Sequence, residues 1–298
     1  VQSSPAFSAE PKVLPVAAGD GARSELLLSL PPETPTALLY WLPAMGIAAK
    51  HYLPLAQALA AHGIAVALHE WRGIGSSDRR AGRRCDWGYR QLLGDDLPAG
   101  VAIAQRHCPD VACRLGGHSL GGQIASLYAG QHSQAFAGLV LVASGAPYWR
   151  QFRHRFPIGL AYVLAPWLAG LTGYLPGRRI GFGGNEARGV IADWARSGRT
   201  GRYAAAGAPW DLEVGLAMLD VPLLAIRLHD DWLGPERSLD WLLRKMPRTG
   251  QRRVSLGAEE LDGPADHFSW MKAPDAVALA IAGWLDEAGQ RPSRRAAS

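Results

Sequence analysis

The chain has 298 residues, 48% of them hydrophobic and 19% charged. That is enough for one large domain, or a domain carrying an insertion, and too apolar for a disordered chain. The formal charge of +5 is unevenly spread, because between Tyr148 and Trp210 nine arginines stand against only Glu186 and Asp193. A basic insertion on a net-acidic body is expected to face an anionic substrate, a membrane surface or plain solvent. Cys85, Cys108 and Cys113 show no C-x-x-C or zinc spacing; free thiols are expected, with a Cys108–Cys113 pair across a helix-to-strand turn as the alternative.

Residues 1–12 are polar and lack the charged start and apolar run of a secretory leader, so the cytoplasm is the expected compartment. Strands are predicted at Lys12–Val16 and Ser24–Leu30, with no helix between them, as in an antiparallel hairpin, and then at Ala37–Leu42. Helix Leu53–His62, strand Ala65–Glu70, helix Tyr89–His107, strand Ala112–Gly117, helix Gly121–Gln131 and strand Gly138–Ala143 follow. The alternation then stops. Residues 148–218 show no strand-like order and read as a helical cap inserted between two strands. Within them, Phe156–Gly177 carries no charge and is long enough for a membrane span. Pro157, Pro166 and Pro176 interrupt it, so a pair of cap helices is expected instead. Strand Leu223–Leu228, helix Pro235–Arg244, strand Arg253–Leu256 and helix Pro274–Glu287 complete the body, and 290–298 is a basic tail with Arg291, Arg294 and Arg295. The fold class expected is α/β, with a mostly parallel eight-stranded sheet flanked by helices, a core of 12–147 and 219–289, and a cap of 148–218.

The strongest motif is Gly117-His118-Ser119-Leu120-Gly121, placed where a strand ends and a helix begins. In such a turn a strained serine presents its hydroxyl above a helix N-terminus, and Gly117 and Gly121 remove the Cβ atoms that would clash. Serine is a weak nucleophile without a base, and the base needs an orienting acid. His267 is the one histidine in a loop downstream of the final strand. Asp230 and Asp231 both follow the strand Leu223–Leu228, and alternation aims only one of them at His267. Asp231 is preferred and Asp230 is the alternative. Backbone N–H groups of Leu120 and Met45 are the expected oxyanion donors.

At these residues the chain resembles the α/β-hydrolase superfamily over nearly its whole length. The run Trp71-Arg72-Gly73-Ile74-Gly75-Ser76-Ser77 is similar to that family's turn after its fourth strand, and the spacing Asp231 to Pro235 to its acid-bearing loop, which favours Asp231. Pro43-Ala44-Met45-Gly46, Gly173–Arg179 and Asp193–Arg196 resemble a bacterial group within the superfamily. Pro43 departs from the histidine that many esterases of the fold carry before the glycine. The resemblance implies a serine hydrolase of carboxylic esters or thioesters, with acyl transfer, peptide cleavage or a non-catalytic binding role as alternatives. Trp149, Trp167, Trp194, Trp210 and Trp232 are candidates to line its pocket. The expected partner is a small ester, anionic or lipid-like, with membrane-surface contact open. No cofactor, metal or nucleic acid is expected: there is no H-E-x-x-H cluster, and Gly73-Ile74-Gly75 lacks a third glycine.

Overall fold

A computed structural model describes residues 10–290. Residues 1–9 of the leader reading and, but for Gln290, the basic tail lie outside them. The main strands are β1 (Lys12–Ala17), β2 (Arg23–Ser29), β3 (Ala37–Leu42), β4 (Ile64–Leu68), β5 (Cys113–His118) and β6 (Leu139–Val142). A short antiparallel ribbon of β7 (Tyr174–Pro176) and β8 (Asn185–Ala187) precedes β9 (Pro222–Leu228) and β10 (Gly250–Leu256). Eight of them form one sheet in the order β1-β2-β4-β3-β5-β6-β9-β10. Pairings β1–β2 and β2–β4 are antiparallel and the rest parallel.

The central strands are apolar because both faces are covered. In β3, Leu38, Tyr40 and Leu42 enter the core on one face, while Leu39 and Trp41 enter the core on the other. Helices α1 (Leu53–Ala60) and α8 (Asp275–Gln290) cover the second face; α2 (Leu97–His107), α3 (Leu120–Gln131), α6 (Leu212–Met218) and α7 (Glu236–Arg244) cover the first. Edge strand β10 exposes Arg252 and Arg253, charges that discourage pairing with another chain.

The helix expected over Tyr89–His107 contains a π-turn at Leu92–Asp96 before α2. Pro98 has no N–H to offer the Gly94 carbonyl, so the α repeat cannot run through this point. Asp96, at the end of that turn, is drawn to the buried Arg72 guanidinium, which also binds Asp20 at 2.6 Å.

Between β6 and β9 lie α4 (Arg155–Thr172), the β7–β8 ribbon and α5 (Arg188–Thr200). The expected helix pair is one continuous helix. Pro166 leaves the Tyr162 carbonyl without its helical donor, and Arg199 Nη1 from α5 donates to that oxygen at 2.6 Å. The ribbon escaped sequence reading because strands of three residues are too short to show alternation. Among the described residues, no helix is long and apolar enough to cross a membrane.

Candidate active site

Strand β5 delivers the chain to Ser119, and α3 starts at the next residue. Ser119 has φ 55° and ψ −120°, a left-handed conformation that costs free energy for a residue with a Cβ. The surroundings hold it there: its N–H donates to Val142 O at 3.1 Å, and Ser144 Oγ donates to its carbonyl at 2.7 Å. Two glycines allow the close approach. A Cβ on Gly121 would stand 2.0 Å from Leu42 O, and one on Gly117 2.3 Å from Gly121 C. The amide of Leu120, in the first turn of α3, has no carbonyl four residues back within the helix.

His267, in the loop after β10, and Asp231, in the loop after β9, meet at the same carboxyl edge of the sheet. His267 Nδ1 and Asp231 Oδ2 are 2.8 Å apart, with both residues buried. Oδ1 of Asp231 accepts N–H groups of Leu233 at 2.9 Å and Gly234 at 2.8 Å, which fix the carboxylate. Asp230 is exposed instead. A carboxylate accepting at Nδ1 places the proton there and leaves the Nε2 lone pair free.

The loop Pro43–Gly46 is pinned from three sides. Trp71 Nε1 donates to Pro43 O at 2.9 Å, and Ala44 N–H donates to the Tyr52 hydroxyl at 2.9 Å. On the third side Gly46, at φ 77°, touches the insertion, where an added Cβ would lie 2.1 Å from Gly184 N. The Tyr52 hydroxyl is also 2.8 Å from His118 Nδ1. Burial, with His267 beside it, holds the His118 ring well below the ordinary histidine range and therefore neutral. Burial likewise pushes Tyr52 up, so the phenol keeps its proton. A neutral phenol can accept from Ala44 and donate to His118 at once. The His118 and His267 rings are 4.7 Å apart, so one chain of contacts runs from the Met45 loop to the histidine.

Tyr52, His118 and Ser144 escaped sequence reading. Their roles depend on partners 8 to 66 residues away, and no spacing announces such contacts. Besides Tyr52, the aromatic neighbours of the paired histidines include Phe268 and Trp270, at 4.7 Å from His267 and 5.3 Å from His118. Of the nominated tryptophans, Trp194 packs within the insertion on Tyr162 and Phe182. Trp149 stacks near Phe156, and Trp210 abuts Gly94. Trp167 and Trp232 are exposed. The three cysteines are free thiols. Among the described residues, no group of three or more His, Cys, Asp or Glu is disposed to hold a metal ion.

Residues 33–180 match the family model described as serine aminopeptidase, S33. Monoglyceride lipase of Rattus norvegicus is 33% identical over 113 residues, 38% of this chain and 36% of that protein, so the match spans about a third of the curated relative. Among solved structures, a soluble variant of monoglyceride lipase from Saccharomyces cerevisiae superimposes with a TM-score of 0.73 at 16% identity, covering 96% of this chain and 98% of that one. The esterase domain of a Rhodothermus marinus protein does so with a TM-score of 0.64 at 19% identity, over 94% and 99% of the two chains. At these identities the structural likeness is one of fold.

Proposed function

Because the chain belongs to the α/β-hydrolase superfamily, we propose that it is a serine hydrolase that cleaves a carboxylic ester or thioester, with a lipid-like ester as the preferred class. The observation that carries the reading is the buried 2.8 Å bond between His267 Nδ1 and Asp231 Oδ2, with the His267 ring 4.7 Å from the ring of His118, the residue that precedes the strained Ser119. Ser119 Oγ attacks the carbonyl carbon as His267 Nε2 takes its proton. Asp231 keeps the imidazole in the required tautomer and stabilises the imidazolium. The N–H groups of Leu120 and Met45 hold the oxyanion. Collapse expels the alkoxide or thiolate, which receives the proton from His267, and water repeats the sequence on the acyl-serine to release the acid. Residues 148–218 act as a cap that shapes the pocket; contact of Gly184 with Gly46 supports this.

A second reading, peptide cleavage by the same residues, is favoured by the family model that residues 33–180 match. A panel of monoacylglycerols, short acyl thioesters and aminoacyl amides separates the two by relative kcat/KM. Ser119→Ala is expected to lower ester turnover by several orders of magnitude without altering the melting temperature. A fluorophosphonate should leave a single adduct on Ser119. An adduct elsewhere, or a Ser119→Ala protein with full activity, would overturn the assignment.

A further inference from the structure

The first turn of α4 borders an open cavity of about 560 Å³ lined by Arg150, Arg153, Arg155, Arg237 and His154, with Phe156 at its rim. Among the described residues, none of these four arginines pairs with a carboxylate. The helix compounds the charge: its first turn holds no acid, and its N-cap residue His154 makes no side-chain cap. The positive end of the helix dipole therefore adds to four unneutralised guanidinium groups. Such a concentration of like charge is unfavourable unless an anion joins it.

From Phe156 onward, α4 presents an unusual face. Phe156, Leu160, Val163, Leu164, Trp167 and Leu171 are each at least half exposed. Their spacing puts them on one side of the helix, in a stripe about 22 Å long. A continuous apolar stripe of this kind marks an interaction surface. Phe156 belongs both to the stripe and to the cationic cavity. Two guanidinium groups lie over aromatic rings there, Arg155 over Phe156 at 4.9 Å and Arg150 over Trp149 at 5.2 Å.

We propose that this face docks on an anionic phospholipid bilayer, the α4 stripe entering the acyl–headgroup boundary and the arginine cavity taking lipid phosphates. Charge complementarity selects this occupant. A second copy of the chain would bring an equal set of arginines against the first, whereas an anionic surface neutralises them. The helix lies in the interface rather than crossing it, since no helix among the described residues is long and apolar enough to span. The insertion leaves the sheet after β6, at the edge where Ser119, Asp231 and His267 stand. Docking would thus hold the site beside lipid, although the binding step itself is independent of Ser119.

The test is co-sedimentation of the whole protein with vesicles of phosphatidylcholine alone, or of phosphatidylcholine with about a third phosphatidylglycerol. Binding is expected on the anionic vesicles only, weakening with salt. Each arginine contributes roughly fivefold to partition at low salt, so Arg153→Glu with Arg155→Glu should lower it at least about twenty-five-fold by the same estimate. Leu160→Gln with Leu164→Gln should abolish insertion, and Ser119→Ala should bind like the parent. The substituted arginines and leucines are exposed, so their melting temperatures should not move, which separates lost docking from lost folding. Inorganic phosphate at millimolar concentration should compete weakly. If phosphate alone binds the cavity tightly and vesicles do not, the cavity serves a soluble anion and the proposal fails. Equal binding to both vesicle types, insensitivity to the arginine reversals, or a dimer in solution that Leu160→Gln and Leu164→Gln dissolve would also overturn it.

Discussion

Replacing Tyr52 by Phe removes one oxygen and leaves the ring against Trp41 and Trp270, whose centroids lie 5.8 and 6.3 Å away. The loss falls on two buried groups. Ala44 N–H, 2.9 Å from the hydroxyl, loses its acceptor, and His118 Nδ1, 2.8 Å away, loses its donor. Exposure of Ala44, Tyr52 and His118 is 2%, 1% and 0%, so water cannot replace the oxygen without repacking. Each unsatisfied buried group costs about 1–3 kcal/mol, and with partial relaxation the pair should cost about 3 kcal/mol. For a chain of this size that is a fall in Tm of roughly 5 °C. The same amide anchors the loop carrying Met45 N–H, so under the proposed mechanism a slackened donor should lower kcat about tenfold or more with KM little changed, because the oxyanion exists only along the reaction path. Calorimetry and steady-state kinetics on a soluble ester measure both effects. A Tyr52→Phe protein with parental Tm and kcat would refute the reasoning, while a lower Tm with unchanged kcat would confine Tyr52 to folding.

Asp231→Asn should keep the loop, since an amide oxygen can accept from Leu233 and Gly234. Its NH₂ would donate to His267 Nδ1 and force the proton onto Nε2, lowering kcat by about 10⁴, whereas Asp230→Asn should match the parent in the same assay. Gly121→Ala drives a Cβ to within 2.0 Å of Leu42 O and 2.5 Å of Pro43 O; a loss of more than about 3 kcal/mol in urea unfolding is expected. Gly283→Ala, with nothing within 4 Å of its Cβ, is the control and should be neutral or stabilising. Burial raises the Glu186 carboxyl to about 6, against the Gly184 N–H it accepts at 2.9 Å. The folded value lies above the unfolded one, so the native state holds the extra proton between about pH 4.5 and 6, and stability from this group is lost as pH rises through that window. Glu186→Gln should therefore raise Tm at about pH 8 and leave it unchanged near pH 4.5; a lower Tm at the higher pH would contradict this.

Much of the architecture is legible in the residues themselves. A run such as Ala37–Leu42, apolar at every position, suits only a strand covered on both faces, and the glycines around Ser119 suit only a turn where backbones nearly touch. Such features are local: composition and spacing within a few residues carry them, and all eight strands of the main sheet are placed by them. The preference for Asp231 over Asp230 rests on a resemblance in loop spacing, and the 2.8 Å bond to His267 is a fact of the fold. Whether Pro166 would break α4 depends on Arg199, far along the chain in α5, reaching the orphaned Tyr162 carbonyl. The link from Ala44 through Tyr52 to His118, and the gathering of Arg237 with the arginines before α4, likewise join residues far apart in the chain. Pairwise satisfaction of buried polar groups, and the clustering of charge on a surface, arise only when distant segments are brought together; period and propensity describe each segment alone.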